Sequence, residues 1–137
     1  MPRTAEDVEN YLLKLGRPFE KAEGSSEEAG TMTFVVKTQG GPPFAIRVSP
    51  PIVAVNAAIG PVPKDASHQL PLFRRLLELN AGDLMHAAYG IEEDQIVLSA
   101  ALALENLDTN ELEATLADMD VALVQHTAEL AGTARSK

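Results

Sequence analysis

The sequence predicts an α+β fold, an antiparallel sheet with three helices in the order α-βββ-α-ββ-α, and three observations carry that reading. Apolar residues recur at spacings of three and four in separate stretches near the start, the middle and the end of the chain. Between these stretches lie short runs that alternate apolar and polar residues or are rich in Val and Ile, each bounded by Pro, Gly or acidic turns. The runs come in groups, and groups of strands separated by few helices favour antiparallel pairing over alternating parallel units. No internal repeat is visible.

The first helix begins at Thr4, which reads as an N-cap. Val8, Tyr11, Leu12 and Leu15 form its apolar face before Gly16 and Pro18 stop it. Residues 19–21 read as a short extended piece, and residues 24–30 have the polarity and glycines of an exposed loop. Three strands are expected at residues 31–38, 44–49 and 52–59, with turns at Gly40-Gly41-Pro42-Pro43 and at Pro50-Pro51. Phe44, Ile46 and Val48 alternate with Ala45 and Arg47, so one face of that strand meets the core. The next strand differs: Val53, Val55, Ala57 and Ile59 point one way and Ile52, Ala54 and Ala58 the other, and both sets are apolar. Either this strand is covered on both sides, the simpler account, or one sheet face is reserved for another chain.

Pro71 suits the first turn of a second helix carrying Leu72, Phe73, Leu76, Leu77 and Leu79. So wide an apolar arc predicts burial on more than one side, against the helix's own sheet and against a partner subunit. Asn80-Ala81-Gly82 ends it. Residues 84–91 and 95–104 then read as a hairpin around Glu92-Glu93-Asp94. In the last helix Asp108 caps the first turn, with Glu111 placed to reach back to it. Leu112, Leu116, Met119, Leu123, His126 and Leu130 make one stripe, and Glu113, Asp118 and Gln125 lie opposite. The pattern fades at Ala131-Gly132-Thr133. Residues 1–130 are therefore expected to form a single domain and residues 131–137 a flexible tail.

A chain of 137 residues is long enough to bury roughly two thirds of the surface its unfolded form exposes, without metal or disulfide. Twenty acidic residues against 11 basic ones give a formal charge of −9, and no basic cluster exceeds Arg74-Arg75. Nucleic acid and anionic membranes are disfavoured partners, because binding either needs a basic stripe. Cysteine is absent, which removes a disulfide framework, a thiolate nucleophile and Cys-rich zinc sites together. Acids stand at Glu6 and Asp7, where a signal peptide needs apolar residues, and nowhere do about 18 apolar residues run together. The expectation is a cytoplasmic protein with no membrane insertion.

The motifs of chemistry are missing. No Gly-rich phosphate loop, paired-Gly fingerprint or nucleophile elbow occurs. His68, His86 and His126 lack the short spacings with which two imidazoles grip one ion, and His126 on an apolar stripe reads as a packed or partner-facing side chain. Glu92-Glu93-Asp94 lacks the alternating oxygen ligands of a calcium loop and reads as a solvated turn. No cofactor, no metal site and no catalytic residue are expected. An enzyme would require a cleft of titratable groups that spacing alone does not reveal.

Three stretches carry a family resemblance: Leu72-Phe73-Arg74-Arg75-Leu76-Leu77-Glu78-Leu79-Asn80, then residues 87–98 (AAYGIEEDQIVL), then Leu104-Glu105-Asn106-Leu107-Asp108 with Glu111-Leu112. Together with the strand exit Ala57-Ala58-Ile59-Gly60-Pro61-Val62-Pro63, these resemble the type III secretion chaperone-like superfamily of bacteria, which holds the CesT-type class I chaperones and the YbjN-type proteins. The motifs are apolar spacings and turns and carry no catalytic signature. What the resemblance implies is a non-enzymatic homodimer that holds an extended segment of a client protein; the alternative is a YbjN-type adaptor or regulator that binds a folded partner and has no secretion role. On this basis the dimer contact is expected at Leu72, Leu76 and Tyr89, and client contact at Val8, Leu12, Phe34 and Ile46. The chain departs from its relatives in having no Trp and an Ala-rich end to its last helix, where relatives are often aromatic.

Overall fold

The computed structural model describes residues 4–22, 31–38 and 42–134. Thr4 opens α1 (Ala5–Lys14) with a full capping box: its hydroxyl accepts from the Asp7 N–H, and the Asp7 carboxylate accepts from the Thr4 N–H at 2.8 Å. Gly16, in the left-handed region at φ 71°, lets the chain leave α1 by a Schellman turn, in which the Gly16 and Arg17 amides donate to the Leu13 and Leu12 carbonyls.

Six strands follow in one antiparallel sheet: β1 (Phe19–Lys21), β2 (Met32–Val36), β3 (Phe44–Ser49), β4 (Ile52–Pro61), β5 (Ala88–Glu92) and β6 (Gln95–Ala103), in spatial order β1-β2-β3-β4-β6-β5. The short extended piece at residues 19–21 is thus a true edge strand. Pro50-Pro51, joined by a cis peptide, makes a two-residue turn that pairs Ser49 with Ile52. The turn expected at residues 40–43 and the loop expected at residues 24–30 fall largely or wholly outside the described residues. Two helices complete the fold, α2 (Ala66–Gly82) and α3 (Thr109–Ala134), giving the α-βββ-α-ββ-α order with β1 added.

Helix α2 starts five residues before the position that Pro71 suggests. Asp65 replaces Pro71 as the starting signal: its carbonyl accepts from the His68 and Gln69 amides, and its carboxylate is held by Ser67 and His68. Pro71 therefore lies inside the helix, where it removes one helical bond and crowds the carbonyl four residues back, a cost offset by burial of Leu72, Leu76 and Leu79 just after it. Helix α3 keeps the expected cap, with Glu111 N–H donating to Asp108 at 2.8 Å, but it runs past Gly132 to Ala134.

The core lies between one face of the sheet and the helices. Met32, Phe34, Val36, Phe44, Ile46, Val48, Val53, Val55, Ala57, Ile96 and Leu98 alternate into it from the strands, and Leu112, Leu116, Met119, Leu123 and Leu130 enter from α3. The stripe read on the last helix is the buried one. Arg17, at 2.6 Å from Asp120, ties the α1–β1 connection to α3, and the Tyr11 hydroxyl donates to the Leu107 carbonyl. Among the described residues no helix lies on the opposite face of the sheet. Ile52, Ala58 and Ala101 are exposed there, so β4 is not covered on both sides, which corrects the simpler of the two accounts of that strand. A register shift between Ala58 and Gly60 leaves Ile59 out of the pairing with β6, and Ile59 packs against the core only half-buried where Val53, Val55 and Ala57 are fully buried.

Candidate functional site

The apolar arc of α2 divides into two faces. Leu72, Leu76 and Leu79 are buried against the sheet and α3, while Leu70 and Leu77 are 74% and 69% exposed. Leu70, Phe73, Leu77 and Ala81 fall at helical spacing on the outward side, where with Arg74 and Glu78 they line a shallow groove of about 430 Å³. Arg74 and Glu78 approach to 3.8 Å beside the stripe. Leu70 and Leu77 thus stand open two turns apart on one side of one helix, and such exposed apolar surface suits an interaction site.

The second feature is a polar clamp on Tyr89. The Asn80 side-chain amide makes both main-chain bonds to Tyr89: its oxygen accepts from the Tyr89 N–H at 2.7 Å and its nitrogen donates to the Tyr89 carbonyl at 3.1 Å. The Tyr89 hydroxyl meets Nδ1 of buried His126 at 2.8 Å, and Nε2 of His126 meets Asp83 at 3.1 Å. The Asp118 carboxylate also accepts from the Met85 and His86 amides, so the α2–β5 connection is pinned while the Met85 side chain stands 86% exposed. His126 is therefore a packed histidine. No periodicity signal marks Asn80 or Asp83, since neither belongs to an apolar pattern.

The third feature is the bare sheet face. Register places Val35, Ala45, Asn56, Ser99 and Ala88 in one row across five strands, flanked by Arg47, Ala54 and Ala101 on one side and Ala58, Val97 and Gly90 on the other. Ala54, Asn56, Ser99, Ala101, Met85 and His86 border a shallow depression there. Small side chains let a second polypeptide approach the sheet closely.

None of the residues expected at an interface lies on the surface of the single chain. Leu72, Leu76 and Tyr89 sit in the core, and so do Val8, Leu12, Phe34 and Ile46. The elements chosen for contact do present apolar surface, but through their other faces: Leu70 and Leu77 on α2, Leu13 on α1, and Ile91 on β5. The largest apolar residue on an amphipathic element serves its own core first. Among the described residues no group of three or more His, Asp or Glu is placed to hold a metal ion. Among the described residues no helix is long and apolar enough to cross a membrane.

The CesT_Tir_1 family model matches residues 1–136, nearly the whole chain. The chain belongs to the CesT_Tir_1 family. Its fold is shared with a chain of the heterodimeric ExoU–SpcU complex from the type III secretion system of Pseudomonas aeruginosa, at 15% identity and a TM-score of 0.67, over 95% of this chain and 99% of that one. YbjN from E. coli has the same fold at 15% identity and a TM-score of 0.64, over 90% and 91% of the two chains. A chain of the HopA1–SchA chaperone–effector complex follows at 14% identity and a TM-score of 0.51, over 91% and 90%. No curated protein matches the sequence. CesT_Tir_1 membership and these neighbours bear out the α+β expectation and the resemblance to secretion chaperones and YbjN.

Proposed function

We propose that this CesT_Tir_1 chain is a non-catalytic protein-binding module of the bacterial cytoplasm that pairs with a second copy of itself and holds an extended segment of a client protein. The observation that carries the reading is the outward stripe of α2, on which Leu70, Leu77 and Ala81 are exposed and Phe73 is half-buried. Two such helices crossing about a two-fold axis would bury their stripes on each other, with Arg74 of each copy near Glu78 of the other. A stable interface removes roughly 1,200–2,000 Å² from water, and leucines at its centre are what make such a contact apolar. The proposed dimer contact thus stays on α2, the element of Leu72 and Leu76, while the residues that make it are their outward neighbours, and Tyr89 on β5 has no part in it. For the client, the small-residue row through Asn56 and Ser99 and the exposed Leu13 on α1 replace Val8, Leu12, Phe34 and Ile46. Support for a client comes from the neighbours: one of the similar solved structures is a heterodimeric complex from a type III secretion system and another is a chaperone–effector complex.

A YbjN-type adaptor that binds a folded partner is the second reading, favoured by a likeness to YbjN almost equal to that of the secretion complex. The test is affinity capture from the native host followed by binding of the recovered partner's isolated segments. A short disordered segment that binds alone, and that perturbs the Asn56 and Ser99 amide signals in NMR spectra, supports the chaperone reading. Binding that requires the folded partner selects the adaptor, and signals that stay fixed with every captured segment overturn the sheet-face assignment.

A further inference from the structure

The β5 strand lies at one edge of the sheet, and its outer main-chain groups are laid out by the hairpin. Glu93 and Asp94, at φ 51° and 61°, form a two-residue turn that closes on the Glu92 and Gln95 pair. In such a hairpin the closing pair exchanges both main-chain bonds, so Glu92, Gly90 and Ala88 bond to β6 while Ile91 and Tyr89 turn their N–H and C=O groups to the free edge. At Tyr89 that edge is filled by the Asn80 amide, which offers one acceptor and one donor in the places a neighbouring strand would supply them.

We propose that Asn80 is an edge guard: its side-chain amide stands in for a strand on β5 and keeps that edge from pairing with β5 of a second copy. Unguarded, the strand suits self-pairing. A two-fold axis at Gly90 would set Tyr89 opposite Ile91 of the other copy, each exchanging both main-chain bonds, and Ala88 opposite Glu92, so that no like charges meet. Gly90 has no side chain to obstruct the axis, and Ile91, 47% exposed, adds an apolar contact. An edge strand with open main-chain groups is a template for association, and covering it is a standard defence. The last turn of α2, tethered to β5 by Asn80, must withdraw for pairing to occur, so the tether is also the lock.

The inference is independent of the α2 stripe, and L77E is used as the parent so that stripe-mediated pairing does not mask the result. N80A in that parent is compared with L77E alone by sedimentation velocity over a hundredfold concentration range, with amide hydrogen exchange read at Tyr89. The expected result is exchange at Tyr89 faster by about tenfold or more and a concentration-dependent rise in mass, which I91P, by removing an edge N–H, reverses. Faster exchange without association, or unchanged exchange and mass, overturns the guard. Should N80A lose its circular dichroism, N80S, whose hydroxyl is too short to span both Tyr89 groups, carries the same test and the same outcomes.

Discussion

The Tyr89 hydroxyl stands 2.8 Å from Nδ1 of His126 inside the core, and this contact joins edge strand β5 to the middle of α3. The neutral imidazole that satisfies both of its neighbours carries its proton on Nε2, donating to Asp83 and accepting from Tyr89. Y89F removes the donor and leaves Nδ1 buried without a partner, at a cost of about 1–3 kcal/mol. Urea denaturation of the two proteins measures it. Equal midpoints and slopes would show that the bond contributes nothing.

The β5–β6 hairpin turns through two non-glycine residues in the left-handed region, Glu93 and Asp94. Each bears a steric cost that glycine or asparagine avoids, and Asn-Gly is the favoured pair for this turn. E93N/D94G is expected to raise stability by about 0.5–1 kcal/mol while leaving the fold unchanged, read from thermal melts. A lower melting temperature would contradict the assigned turn.

The Ser67 hydroxyl bonded to the Asp65 carboxylate, with smaller help from His68, holds the Asp65 carboxyl below its ordinary value of 3.8 despite some opposing desolvation. A depressed acid contributes stability that is complete above its unfolded value and is lost as pH falls through the lower folded one. The start of α2 should therefore keep its ion intact down to pH values below 3.8. In NMR titration S67A should move the Asp65 midpoint up toward the ordinary value. A midpoint unaffected by S67A would remove Ser67 as the main cause.

Much of this fold was legible because its signals are local. Thr4 with Asp7, Asp108 with Glu111, and the Leu112 to Leu130 stripe each specify a helix end or face within a few residues. Pro71 misled about the start of α2 because the competing signal, Asp65 closing on Ser67, His68 and Gln69, is distributed over polar residues that also suit a loop. The site was legible only as a wide apolar arc. Periodicity tells that Leu72, Leu76 and Leu77 lie on two sides of a helix, but not which side the sheet takes; that choice is made by tertiary packing. Asn80 was invisible for a further reason, since its partner Tyr89 is an edge strand's main chain and any residue there would offer the same bonds.

Neighbouring leucines on α2 give the most direct test of the central claim. Leu76 is 5% exposed and Leu77 is 69% exposed, so the same charge has opposite consequences at the two positions. L76E buries a carboxylate in the core and should unfold the chain. Light scattering on the wild type and L77E decides the rest: the wild type should have twice the 14.6 kDa chain mass, and L77E the mass of one chain with unchanged circular dichroism. A wild type of single-chain mass, or an L77E protein that remains a dimer, would contradict pairing through the outer face of α2.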